Sequence, residues 1–276
     1  MTGLQVWVGI VLKRGGNRVP QNGLLDHFPL WTVLVGTVVV LLLCVEIGYR
    51  LARYRREHAE GENEASVGAM VGSTLGLLAF MLAFTFSLAA SRFEGRRQVL
   101  LDEANAIGTT YLRATMLAEP ARSNCRNLLR EYVDVRIEGA QPGKVEQAIA
   151  MSVDLQNRLW SEAVAATEKD RSAVTGLFVQ SLNEVIDLHA KRVMLGLRSR
   201  VPAVIWMVLY LLAVLAMTAI GYHQGLSRAK RSLAAVALTL AFSAVLVLVV
   251  DLDRPGEGLL KVSHQSMIDL QKSMRP

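Results

Sequence analysis

The chain has 276 residues, 52% of them hydrophobic and 20% charged, with a formal net charge of +6. A mean hydropathy of +0.32 excludes an ordinary water-soluble domain, because the charges are segregated from long apolar runs and do not dilute them. Cys44 and Cys125 have no CxxC partners, which argues against a disulfide framework or a zinc ribbon. The basic excess is mostly arginine at the ends of apolar runs, the pattern of anchoring to anionic lipid headgroups. No basic stretch carries the interleaved aromatics of a nucleic-acid surface.

Residues 1–27 form an N-terminal segment. Met1–Leu12 lacks a basic start and its apolar part is short, so it is not a signal peptide and reads as a frayed or interfacial stretch in preference to a fifth span. Four stretches then carry no charge: Phe28–Val45, Ala65–Ser91, Val201–Tyr222 and Ser232–Val250. Each reaches the roughly 18 residues that cross about 30 Å of hydrocarbon as a helix. Backbone groups in lipid must bond within their own segment, so the expected fold is all-α: a polytopic membrane protein with four spans. Spans one and two occupy 28–91, a soluble helical insert 92–200, spans three and four 201–251, and a C-terminal tail 252–276. Glu46, near the end of span one, has Arg50 one turn on as its expected partner.

The second span carries the most information. Gly68, Gly72 and Gly76 repeat every four residues, and Ala79, Ala83 and Ser87 extend the small-residue character. Such a stripe packs helices closely, within one subunit or between subunits. Phe80 and Phe84 are also four apart. They either face lipid or pack in a core or, in a ring of subunits, line a narrow apolar neck that gates by dewetting. Phe80, Phe84 and Ser87 are therefore the pore-lining candidates. Arg92, Arg96 and Arg97 follow at the membrane exit. They either snorkel to headgroups or form a charged vestibule, whose sign the nearby Glu94, Asp102 and Glu103 could reverse locally.

Beyond the exit, Phe93, Leu100, Ala104, Ile107, Tyr111 and Ala114 continue a helical seam, which predicts one long helix from Ala65 to Leu117. Pro120 suits a helix start, and Ala121, Cys125, Leu128, Tyr132 and Val135 form the next stripe. Gly139, Pro142 and Gly143 mark a turn. Two more helices are expected over Lys144–Thr167, with Leu155, Leu159 and Ala163 inward, and over Ser172–Arg198, with Phe178, Leu182, Val185 and His189 clustered. Asp251 and Asp253 close the fourth span, where they are expected to solvate a helix end before a turn at Pro255 and Gly256. As calcium ligands they fall far short of six to eight oxygens. The five histidines are scattered, and no nucleophile–base pair or phosphate loop is present. No catalytic residue, metal site or cofactor is expected.

The runs LLAFMLAFTFSLAASRFEGRRQ, DEANAIGTTYLR, LLREYVDVRI, NEVIDLHAKRV, SRVPAVIW and DLDRP resemble the bacterial bestrophin-like membrane proteins, from about Ser66 to Leu270. The more distant similarity is to bestrophins, pentameric ion channels with four spans and a helical cytosolic region. That resemblance implies that Phe80 and Phe84 occupy two neck positions ahead of Leu88-Ala89-Ala90-Ser91-Arg92-Phe93. The third neck position falls on Gly76, which is small and implies a wider neck or none. Only Asp251 and Asp253 match the acidic calcium clasp, so calcium control is not implied. The resemblance also puts both termini and the insert in the cytosol, in line with a slight excess of Lys and Arg on that side.

The expectation is an oligomeric ion channel in the bacterial inner membrane. Its partners are membrane lipid, inorganic ions and further copies of itself, a pentamer by the resemblance, with no nucleic acid and no enzymatic activity. The alternative is a non-channel membrane scaffold or sensor whose insert binds a ligand or partner, with Cys125 as the labelling site that would report the side of the insert.

Overall fold

The computed structural model describes residues 28–58, 63–141, 143–227, 233–254 and 258–275. The N-terminal stretch, Pro142, and the turn expected at Pro255 and Gly256 lie outside them. Every regular element among the described residues is helical: α1 Leu30–His58, α2 Glu64–Ala114, α3 Ala121–Glu138, α4 Val145–Lys169, α5 Ala173–Val193, α6 Ala203–Leu226, α7 Leu233–Asp253 and α8 Gln265–Met274. A π-helical turn, Met194–Arg198, ends α5. The helices α1, α2, α6 and α7 are long and apolar enough to cross a membrane.

Local signals explain the boundaries. Asn63 Oδ1 accepts the Ala65 N–H and so serves one of the open donors at the start of α2. Ser172 caps α5 by accepting the Thr175 N–H. Gly143, at φ +79°, takes the left-handed conformation in the α3–α4 turn. The long helix ends at Ala114, three residues before the expected Leu117. The stretch Ser172–Arg198 divides into α5 and the π turn.

The chain forms two compact units, Met1–Leu78 with Pro202–Val247, and Ala79–Val201 with Leu248–Pro276. The first is organised by α1 against α6 at very close range. A Cβ added at Gly48 would lie 2.0 Å from the Thr218 carbonyl oxygen, one at Gly221 1.9 Å from that of Val45, and one at Gly225 2.7 Å from that of Tyr49. Only glycine permits that approach, and membrane helices use it to gain dispersion and backbone contact where lipid supplies no hydrophobic drive. Thr37 Oγ1 lies 3.5 Å from Tyr210 Oη along the same seam, and Glu46 pairs with Arg50 at 2.7 Å as expected.

The second unit has a continuous core. Leu100, Ala104, Ile107, Tyr111 and Ala114 of α2 meet Cys125, Leu128, Tyr132 and Val135 of α3, Leu155, Leu159 and Ala163 of α4, and Phe178, Leu182 and Val185 of α5. Those are the stripes read from the sequence, except Phe93 and Ala121, which are only partly buried. The tail is not an unstructured end. Met267 and Met274 of α8 enter the same core, and Gln271 Nε2 donates to Asp134 Oδ1 of α3 at 2.6 Å.

Candidate pore helix and its membrane exit

The α2 helix presents two contrasting faces. Leu78, Leu82, Thr85 and Ala89 are at most 4% exposed and fall within about 60° of arc at 100° per residue. Gly72, Gly76, Ala79, Phe80, Ala83, Phe84 and Ser87 occupy the opposite side and are all exposed in the single chain. Phe80 is 67% and Phe84 57% exposed, so neither packs in the protomer's core. A Cβ at Gly72 or Gly76 would meet nothing within 4 Å, whereas one at Gly68 would meet the His223 ring at 3.1 Å. Of the glycine stripe, only Gly68 packs within the chain. Close helix packing inside the subunit is carried instead by Gly48, Gly221 and Gly225. The Gly221–Gly225 pair is itself a GxxxG spacing that a search for the longest small-residue stripe passes over.

The exit arginines do not behave alike. Arg97 is exposed and pairs with Glu94 at 3.5 Å. Arg96 is buried, and its Nη2 donates to the Leu252 carbonyl at 2.5 Å. Arg92, with 21% of its side chain exposed, reaches Asp253 at 4.0 Å. Of the three, Arg97 alone is exposed in the single chain. The reason is angular: Arg96 lies seven residues after Ala89 and continues the buried face of α2 past the membrane.

The expectation for Asp251 and Asp253 is corrected. Both are buried and do not solvate a helix end. Asp251 accepts the N–H groups of Leu259 and Leu260 at 3.0 and 3.1 Å. Asp253 accepts the Val201 N–H at 2.9 Å and so ties the backbone at Val201 to the end of α7. No group of three or more His, Cys, Asp or Glu among the described residues is placed to hold a metal ion.

Inside the insert, Glu103 is fully buried and shared by two guanidinium groups. Arg136 Nε lies 3.0 Å from its carboxylate, and Arg192 Nη1 donates to the other oxygen. Tyr132 Oη donates to Glu103 at 3.3 Å and accepts from Gln156 Nε2 at 3.1 Å. The carboxylate thus joins α2, α3 and α5, and Tyr132 carries the network on to Gln156 of α4. Burial, then the Glu103 charge, raises the Tyr132 phenol well above its usual range. His189 packs edge-on against Tyr132. Burial, then the Arg136 charge, lowers its imidazole to about 4. Its Nδ1 has no hydrogen-bond partner, so the buried histidine is not a fully satisfied one. The sequence reading missed Glu103 as a core residue. Its signal was the 18-residue spacing from Thr85, a whole number of turns along α2.

A family model for the bestrophin-like domain matches residues 30–267. The chain belongs to the bestrophin-like family. Its fold is also that of solved bestrophin homologues. One variant of a bacterial bestrophin homologue from Klebsiella pneumoniae superposes with a TM-score of 0.66 at 14% identity, covering 88% of this chain and 96% of that one. A second variant of the Klebsiella pneumoniae homologue gives 0.65 at 13% identity over 87% and 97%. A crystal structure described only as a membrane protein gives 0.65 at 12%, again over 87% and 97%. No curated protein sequence matches the chain. This bestrophin-like chain is a membrane protein, all-helical among the described residues, with four helices long and apolar enough to span.

Proposed function

We propose that this chain assembles as a homo-oligomeric ion channel, a pentamer, with its pore lined by α2. The observation that carries the reading is the exposed strip from Gly72 to Ser87. Small residues dominate it, their Cβ positions are open, and Phe80 and Phe84 sit beside them uncovered. A lipid-facing surface gains nothing from small residues, whereas a neighbouring helix does. Family membership supports the same assignment.

In the assembly, Gly72 and Gly76 admit the neighbouring subunit's helix, and Phe80 and Phe84 form apolar rings that gate by dewetting. Gly76 at the third neck position leaves the neck wider there. The termini and insert lie in the cytoplasm, and the membrane is the bacterial inner membrane. Ion flux in liposomes tests the reading. Wild type conducts, and Phe80→Ala with Phe84→Ala raises flux by widening the neck. Zero flux in both proteins, or a strictly monomeric particle, rejects the channel.

A further inference from the structure

Arg126 and Arg130 stand one turn apart on α3 and converge on a single neutral oxygen. Nη2 of each donates to Tyr111 Oη at 2.7 Å, and their Cζ atoms lie 4.8 and 5.5 Å from the Tyr111 ring centroid. Tyr111 gives its own proton to the Met274 carbonyl at 3.1 Å, so its two acceptor positions are filled by two cations. Arg130 is explained by this arrangement. It also donates to the Met274 carbonyl through Nε at 2.9 Å and to Asn127 through Nη1 at 3.2 Å, and it clamps the end of α8.

Arg126 is not explained by it. Its Nε is buried and has no acceptor. Neither arginine belongs to an ion pair among the described residues, because nearby acids are turned elsewhere. Glu131 faces Arg158 at 3.9 Å, Asp134 accepts from Gln271, Glu162 accepts from Asn124, and Glu119 faces Arg122 at 4.0 Å. The exposed Arg275, directly after Met274, adds charge of the same sign. Two adjacent guanidinium groups with no ion-pair partner among the described residues, one with an idle donor, are a donor set that suits a polyvalent oxyanion.

We propose that Arg126 and Arg130, held by Tyr111, bind the phosphate group of a small soluble molecule. A dianion matches the two cations, and its tetrahedral oxygens suit the guanidinium fork; a halide has no such geometry. A lipid headgroup is out of reach. Tyr111 lies 20 residues beyond Ser91, about 30 Å along a straight helix. The source is free phosphate or a phosphorylated metabolite.

Calorimetric titration of the full-length protein in detergent tests this, with inorganic phosphate and ATP as probes and sodium chloride at matched ionic strength as the control. The expected result is saturable binding, one per chain, with Kd below about 1 mM and at least about tenfold weaker in Arg126→Gln. Equal affinity for both probes names free phosphate, and tighter ATP binding names a phosphorylated metabolite. Should Arg126→Gln fail to fold, Arg126→Lys keeps the charge but loses the fork, and the same weakening is expected. No binding up to about 10 mM, an unchanged affinity in the folded variant, or an equal response to sodium chloride overturns the proposal.

Discussion

Gly221 and Val45 face each other with no room for a side chain between them: a Cβ on the glycine would lie 1.9 Å from the Val45 carbonyl oxygen. The obstacle is backbone, which cannot rotate aside, so Gly221→Ala must push α1 and α6 apart. The expected loss is about 1–3 kcal/mol or more, typical of overpacking, read as a lower melting temperature in detergent. Gly72→Ala meets open space in the protomer and is expected to leave protomer folding unchanged while weakening assembly, seen as a smaller particle by light scattering.

Glu103 is the shared partner of Arg136 and Arg192. Glu103→Gln leaves the buried Arg136 and the partly buried Arg192 without their counter-charge and is expected to cost about 3–5 kcal/mol. Glu94→Gln, which touches only the exposed Arg97, is expected to change little, since exposed pairs contribute at most about 1 kcal/mol. Thermal unfolding followed by circular dichroism compares the two.

His189 sets a pH window. Its folded value of about 4 lies below the ordinary 6.5, so the unfolded chain binds its proton first. Stability from this residue is fully present above pH 6.5 and declines as pH falls toward 4, by about 3 kcal/mol. Melting temperatures from pH 7.5 to 4 are expected to fall less steeply in His189→Leu.

Cys125 cannot report which side of the membrane the insert occupies. Its side chain is fully buried, and burial pushes the thiol up to about 12, so the reactive thiolate is scarce. Labelling by an impermeant maleimide is expected to fail in intact and permeabilised cells alike. Leu112→Cys, at a position 67% exposed, is expected to react only after permeabilisation. Reaction in intact cells would put the insert outside and favour the scaffold or sensor.

Much of the fold was legible in the sequence. The stripes through Ile107, Leu128, Leu159 and Phe178 obey helical periodicity, and each joins the core. The α8 helix was missed although Met267, Leu270 and Met274 already sit at helical spacing, because ten residues form too short a pattern to stand out after four strong spans. The face carrying Phe80 and Phe84 was also legible; its exposure was not, since apolar spacing in a span reads alike for core, lipid and pore.

The sequence by itself determined the number of helices apolar enough to span and the helical character of the insert. Hydrocarbon forces a charge-free length on a span, and a seam in water forces a period. Only the tertiary structure decided which long side chains meet. Arg96 found Leu252, Arg92 found Asp253, and Glu103 found Arg136 and Arg192. A guanidinium on a flexible stem has many possible acceptors, and which one it reaches depends on helices brought together from distant parts of the chain.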